Sequence, residues 1–407
     1  MRFKDFLSRY SSFTLAKAAL LVGRSAILIF SYGWLPAKDF SVIAGTLSFV
    51  EIVRAFTDMG AENIIYSRLS SSIKPLPNIV KNLIKLRFLV SALSSLILFF
   101  IGYVFFAASA WPLFLLPLIG SIQNSSVAFM QKNRDFRTIL WLVLFVALAA
   151  LLAVYLVVLL QLKASHLALS MILPESISTL FGVWMTRAHW RVVLTYSKKN
   201  DHRFGRLAPY ILPSLAISVL VVLYSRLDVV LVLPLLGSVA QADYSIGFRL
   251  VEPVYLLLSL ASLSLLAELG AYQTAHARLI SARLLTVLNP RNYCLSLGLG
   301  LGMAFLIRWI AFHYLKLSEG AGWITFFLVL SIPIRLCNTF LTTLLQRGGL
   351  YYRVLYAAMI VFAVTLTFGW IFGAYLGVVG IAFASFLAEF SNFMYQKRTV
   401  NLMVESY

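Results

Sequence analysis

Phe40 to Met59 reads FSVIAGTLSFVEIVRAFTDM. Twenty helical residues rise about 30 Å, the thickness of a bilayer's hydrocarbon core. Three charges interrupt the run: Glu51, Arg54 and Asp58, spaced i, i+3 and i+7 and so set on one face. Each charge in hydrocarbon costs roughly 2.5 to 3.5 kcal/mol on the insertion scale. An apolar run with one charged stripe is therefore a membrane span turned toward a polar interior.

The pattern repeats along the chain, which has 407 residues, 61% hydrophobic and 12% charged. Soluble domains are about a quarter charged, so the composition is that of an integral membrane protein. Reading for about 20 apolar residues gives twelve spans. The first six run near Ser12 to Trp34, Phe40 to Met59, Phe88 to Ala108, Trp111 to Met130, Ile139 to Leu160 and Leu167 to Met185. The second six run near Tyr210 to Val232, Tyr244 to Leu266, Tyr293 to His313, Trp323 to Leu345, Val354 to Tyr375 and Gly377 to Tyr395. With the N-terminus inside, the flanking segments place 24 Lys/Arg in the cytoplasm and only Lys38, Lys163 and Lys316 outside. Losing one span would destroy that asymmetry, so both termini are expected in the cytoplasm. The opening run is expected to remain as a span and not to act as a cleaved signal, since it holds Lys17 and Arg24.

The net charge of +19 does not point to nucleic acid, because the basic residues lie between apolar spans and form no single face. The connections are short: the longest outer one, Leu233 to Asp243, is about a dozen residues, too few for an aqueous domain. Function is expected inside the bundle. Cys294 and Cys337 read as packing residues, and the five scattered histidines form no catalytic or metal pattern. Gly298, Gly300 and Gly302 follow no strand and read as close helix packing. Neither an enzyme nor a cofactor is expected, apart from a coupling ion, H+ or Na+.

An internal duplication sets the architecture. Asp39-Phe40-Ser41 opens the second span and Asp243-Tyr244-Ser245 the eighth; Leu173-Pro174-Glu175 and Leu387-Ala388-Glu389 pair the sixth with the twelfth. A shift of six spans preserves orientation, so two repeats are expected about an axis along the membrane normal. The expected fold is all-α, with an N-lobe at 1–200 and a C-lobe at 201–407. Its break falls in the basic segment around Lys198 to Arg206.

Thirteen ionisable side chains lie inside spans, nine of them in the first, second, seventh and eighth. Four spans of twelve would hold a third by chance, so these four are expected to line a common cavity. Lys17 and Arg24 share a face; Arg249 and Glu252 stand at i, i+3 before Pro253; Arg226 and Asp228 sit in the outer third of span seven. Glu175, Arg308, Arg335 and Glu389 complete the set. Some are expected to be structural: Glu51 with Arg54 and Arg249 with Glu252 as local pairs, and Arg226, Asp228 and Arg308 snorkelling outward. Arg24 is mid-span with no acid at i±3 or i±4. Guanidinium stays charged and presents a fork suited to phosphate. Lys17, Arg24, Arg54, Arg226, Arg249 and Arg335 are therefore candidate anion-binding residues. Glu51, Asp58, Glu175, Asp228, Glu252 and Glu389 are candidates for charge balance or ion coupling.

Four stretches resemble the polysaccharide-exporting branch of the multidrug/oligosaccharidyl-lipid/polysaccharide (MOP) superfamily, the Wzx-type O-antigen flippases. They are LPAKDFSVIAGTLSFVEIVRAFTDMGAE (35–62), SRLDVVLVLPLLGSVAQADYSIGFRLVEP (225–253), LLQRGGLYYR (344–353) and FGAYLGVVGIAFAS (372–385). The resemblance implies two six-helix lobes around a cationic cavity in the bacterial inner membrane. It implies inversion of an undecaprenyl-diphosphate-linked oligosaccharide by alternating access, with polysaccharide polymerase and chain-length machinery as candidate partners. Family cavity positions carry over onto Arg24, Lys17, Arg54 and Arg249, although this chain sets acids beside those cations. The alternatives are an organic-cation antiporter of the same superfamily and a membrane polymerase; the latter lacks a catalytic outer loop here.

Overall fold

The computed structural model describes residues 28–29, 31–32, 34–58, 78–105, 111–132, isolated positions between 141 and 160, then 164–195, 204–271, 290–315, 317–347 and 350–405. Those residues are all-α, with no strand among them. Among the described residues, six helices are long and apolar enough to cross a membrane. Two of them belong to helices of 68 and 55 residues, each bent at a glycine and long enough for two crossings, so this is a multi-pass membrane protein.

The chain divides into two compact units, Met1–Val222 and Leu223–Tyr407. In the first, α1 (Ala37–Asp58) and α2 (Asn78–Phe105) pack with α3 (Leu116–Lys132), which a 3-10 turn at Trp111–Leu115 leads into. α4 (Ala164–Met185) covers α3, and the short α5 (Arg187–Thr195) follows it. Small hydroxyls fill these contacts: Ser91, Ser95, Ser125, Ser126 and Ser178 are all buried. Such residues let helix backbones approach where lipid offers no hydrophobic drive between helices. Gln123 Nε2 donates to Ser178 Oγ at 3.2 Å, tying α3 to α4. α2 begins ten residues before the expected Phe88, and this carries Arg87, expected as a flank, into the buried interior at 2% exposure.

In the second unit the turns decide the geometry. α6 (Phe204–Ala271), which starts before the unit boundary, joins spans seven and eight. The expected outer loop from Leu233 to Asp243 does not exist; helix continues to a single break at Gly237, with φ 85° and ψ −178°. Only glycine occupies that region readily. α10 (Tyr351–Glu405) repeats the device at Gly377, φ 62°, between spans eleven and twelve. Beside it the Gly380 backbone lies against the Phe372 carbonyl, too close for any Cβ.

α7 (Pro290–His313) packs on α8 (Glu319–Leu330), and α9 (Ile332–Arg347) on α10. Of the three α7 glycines only Gly300 is a packing residue: a Cβ there would meet Pro333 Cγ at 2.6 Å, whereas Gly298 and Gly302 border open space. Span ten, expected as one helix, is interrupted at Ser331 between α8 and α9. Pro333 accounts for this, since it cannot donate to the carbonyl four residues back. The core beneath contains Val232, Tyr244, Phe248, Val251, Ile324, Val329 and Ile381.

Candidate functional site

The break at Gly237 folds α6 back on itself, bringing the charges of span seven against those of span eight. Arg226 Nη2 pairs with Glu252 Oε1. Arg249 Nη1 donates to Glu252 Oε2 at 2.5 Å. One carboxylate thus joins two guanidiniums. The i, i+3 pair was legible in sequence; Arg226, 26 residues away, was not.

The outward snorkelling expected of Arg226 and Asp228 is not what the structure has. Helix persists beyond Val232, so Arg226 lies eleven residues, about 16 Å at 1.5 Å per residue, from the turn. Pairing with Glu252 compensates its charge there. Asp228 is 3% exposed. Its Oδ1 accepts the Val229 N–H at 2.8 Å, and its Oδ2 accepts Tyr244 O–H at 2.7 Å and Ser385 Oγ at 3.3 Å. Spans seven, eight and twelve meet at that carboxylate. Arg308 does sit near a surface: it stacks 3.5 Å over Trp323 and stands 3.9 Å from exposed Glu319.

A second cluster lies around the interruption in span ten. The freed Leu328 carbonyl accepts Tyr255 O–H and Ser331 Oγ, each at 2.7 Å. Arg335, one turn on, lies 3.9 Å over the Tyr255 ring and donates from Nε to Glu389 Oε1 at 2.7 Å. Asn338 Nδ2 donates to Glu389 Oε2 at 2.8 Å and to its backbone carbonyl at 2.9 Å. Asn338 escaped the sequence reading, being uncharged.

Among the described residues, three arginines and three carboxylates therefore occupy the interior of the second unit. Their exposure is unequal. Arg226 and Arg335 keep 12% and 21% of their side chains accessible, while Glu252 and Glu389 keep 5% and 4%. In both pairs the carboxylate is the more deeply buried member.

In the first unit, Arg54 lies across the Gly120 backbone where α1 meets α3, and Glu51 is half-buried on the same helix. Glu175 is 4% exposed, matching its repeat partner Glu389 at 3%; Phe40 and Tyr244 match likewise, both at 0%. Asp58 closes α1. Lys17 and Arg24 lie outside the described residues. Among the described residues no three of His, Cys, Asp and Glu converge as a metal ion would require.

A polytopic α-helical chain of two compact units, with paired charges inside its spans, has the fold of the MOP-superfamily transporters. An inward-facing MATE-family multidrug resistance transporter aligns with a TM-score of 0.67 at 13% identity, over 97% of this chain and 95% of its own. The lipid II flippase MurJ, in an inward closed conformation, aligns at 0.66 and 13% identity, over 96% and 87%. A MOP transporter from Pyrococcus furiosus, described by the reverse polarity of its binding pocket, aligns at 0.60 and 12% identity, over 96% and 95%. No family model and no curated protein sequence matches the chain.

Proposed function

We propose that this protein is a flippase. Its cargo is an undecaprenyl-diphosphate-linked oligosaccharide, an O-antigen or similar surface-polysaccharide unit, carried to the outer leaflet of the bacterial inner membrane. The observation that carries the reading is the set of arginines held inside the second unit, of which Arg226 and Arg335 keep part of their side chains accessible while Glu252 and Glu389 are more deeply covered. Such a set suits a diphosphate, which needs partners to replace its hydration within the bilayer. Lys17, Arg24, Arg54 and Arg249 extend the same chemistry. Asp228, Glu51, Asp58 and Glu175 balance charge or carry the coupling ion, H+ or Na+. Two six-helix repeats, 1–200 and 201–407, would alternate access with both termini in the cytoplasm. The fold shared with a lipid II flippase supports a lipid-linked cargo.

The second reading is an organic-cation antiporter of the same superfamily. The even count of three arginines and three carboxylates among the described interior charges favours it, as does the fold shared with multidrug transporters.

The test uses proteoliposomes holding the purified chain and a fluorescent undecaprenyl-diphosphate oligosaccharide, with a membrane-impermeant quencher reporting the leaflet. Wild type is expected to equilibrate the lipid across leaflets. Arg335→Gln is expected to slow this at least tenfold, about 1.4 kcal/mol at the barrier. Ethidium movement without lipid movement would overturn the flippase and leave the antiporter.

A further inference from the structure

Beyond the cargo site, the sixth span carries a surface that the transport reading does not use. Leu169, Leu173, Ile177, Leu180 and Trp184 are exposed by 43%, 58%, 44%, 71% and 58%. At 3.6 residues per turn they fall within an arc of about 80°. The opposite face holds buried Glu175, Ser178 and Thr179. The exposed stripe extends about 22 Å along the axis at 1.5 Å per residue, which is most of a hydrocarbon layer.

The same stripe then changes chemistry. The helical ladder runs on through Thr186, whose N–H donates to the Gly182 carbonyl at 3.1 Å and whose carbonyl accepts from Trp190 N–H at 3.1 Å. Arg187 and Arg191 therefore continue the line of Leu173, Leu180 and Trp184, and both are exposed. α5 is held against the bundle by its other side. Trp190 Nε1 donates to Ser126 Oγ at 3.1 Å, His189 stacks on Phe129 at 5.2 Å, and Val193 is buried. The two arginines are thus carried on an anchored helix. Trp184, one turn before Arg187, stands where indole rings mark the edge of the hydrocarbon.

We propose that this stripe is a binding site for an anionic phospholipid, with an acyl chain along Leu169 to Trp184 and the headgroup phosphate between Arg187 and Arg191. Apolar surface this exposed on a membrane span is matched by lipid chains, and two guanidiniums at the end of the stripe complement a phosphate. The site is independent of the cargo assignment, and its loss leaves the transport machinery intact.

Native mass spectrometry of the purified full chain, exchanged into equal phosphatidylglycerol and phosphatidylcholine, tests it. Wild type is expected to retain phosphatidylglycerol preferentially. The double variant Arg187→Gln/Arg191→Gln is expected to lose that preference by on the order of tenfold. Arg187→Lys/Arg191→Lys should keep most of it, and a control pair at the far end of the chain, Lys397→Gln/Arg398→Gln, should leave it unchanged. Absence of preference in wild type, or equal loss in the control pair, would overturn the site. So would stronger retention of undecaprenyl diphosphate than of phosphatidylglycerol, which would make the stripe a cargo dock.

Discussion

At Glu252 one carboxylate satisfies two guanidiniums, and all three side chains are largely removed from solvent. Removing the acid leaves two buried cations facing each other. Glu252→Ala is expected to destabilise by about 3 to 5 kcal/mol, the usual cost of breaking a buried pair from one side. Replacing the set by apolar side chains, as in Arg226→Met/Arg249→Met/Glu252→Met, should cost far less stability while abolishing transport. Thermal unfolding in detergent separates the two; a loss below 1 kcal/mol for Glu252→Ala would mean that water reaches the site. Arg249 with Glu252 was legible because i, i+3 spacing is local. Arg226 with Glu252, Asp228 with Tyr244, and Arg335 with Glu389 and Asn338 were not. Those pairings depend on which spans fold against each other, and one sequence carries no such information.

Among elements, the bent helices stand out. Gly237 and Gly377 take conformations that a Cβ disfavours, so Gly237→Ala is expected to cost about 1 to 3 kcal/mol. Gly298→Ala and Gly302→Ala border open space and should gain up to about 1 kcal/mol from helix propensity. Equal effects at all three positions, measured as shifts in unfolding midpoint, would contradict the assignment of Gly237 as the turn. Span positions were readable from apolar length alone, and every described span contains helix where expected. Their ends were not. Hydropathy falls at Ser238 and Gln241 although the backbone stays helical, so a tight turn was mistaken for a loop. Pro333 was a visible warning of the interruption in span ten, obscured by the apolar residues on either side.

For the whole molecule, the charge asymmetry of the connections predicts a topology that can be checked. With Cys294 and Cys337 replaced by alanine, Val239→Cys at the exposed Gly237 turn should label with a membrane-impermeant maleimide from outside intact cells. A cysteine at Arg398 should label only after the membrane is opened, and the reverse pattern would invert the proposed direction of transport. The turn at Gly237 also bears on biogenesis. Arg226 leaves the ribosome 26 residues ahead of Glu252, and Asp228 16 ahead of Tyr244. Span seven alone would present both charges to the translocon without these partners, each at roughly 2.5 to 3.5 kcal/mol. Spans seven and eight are therefore expected to enter the bilayer as one hairpin, the second arm neutralising the first.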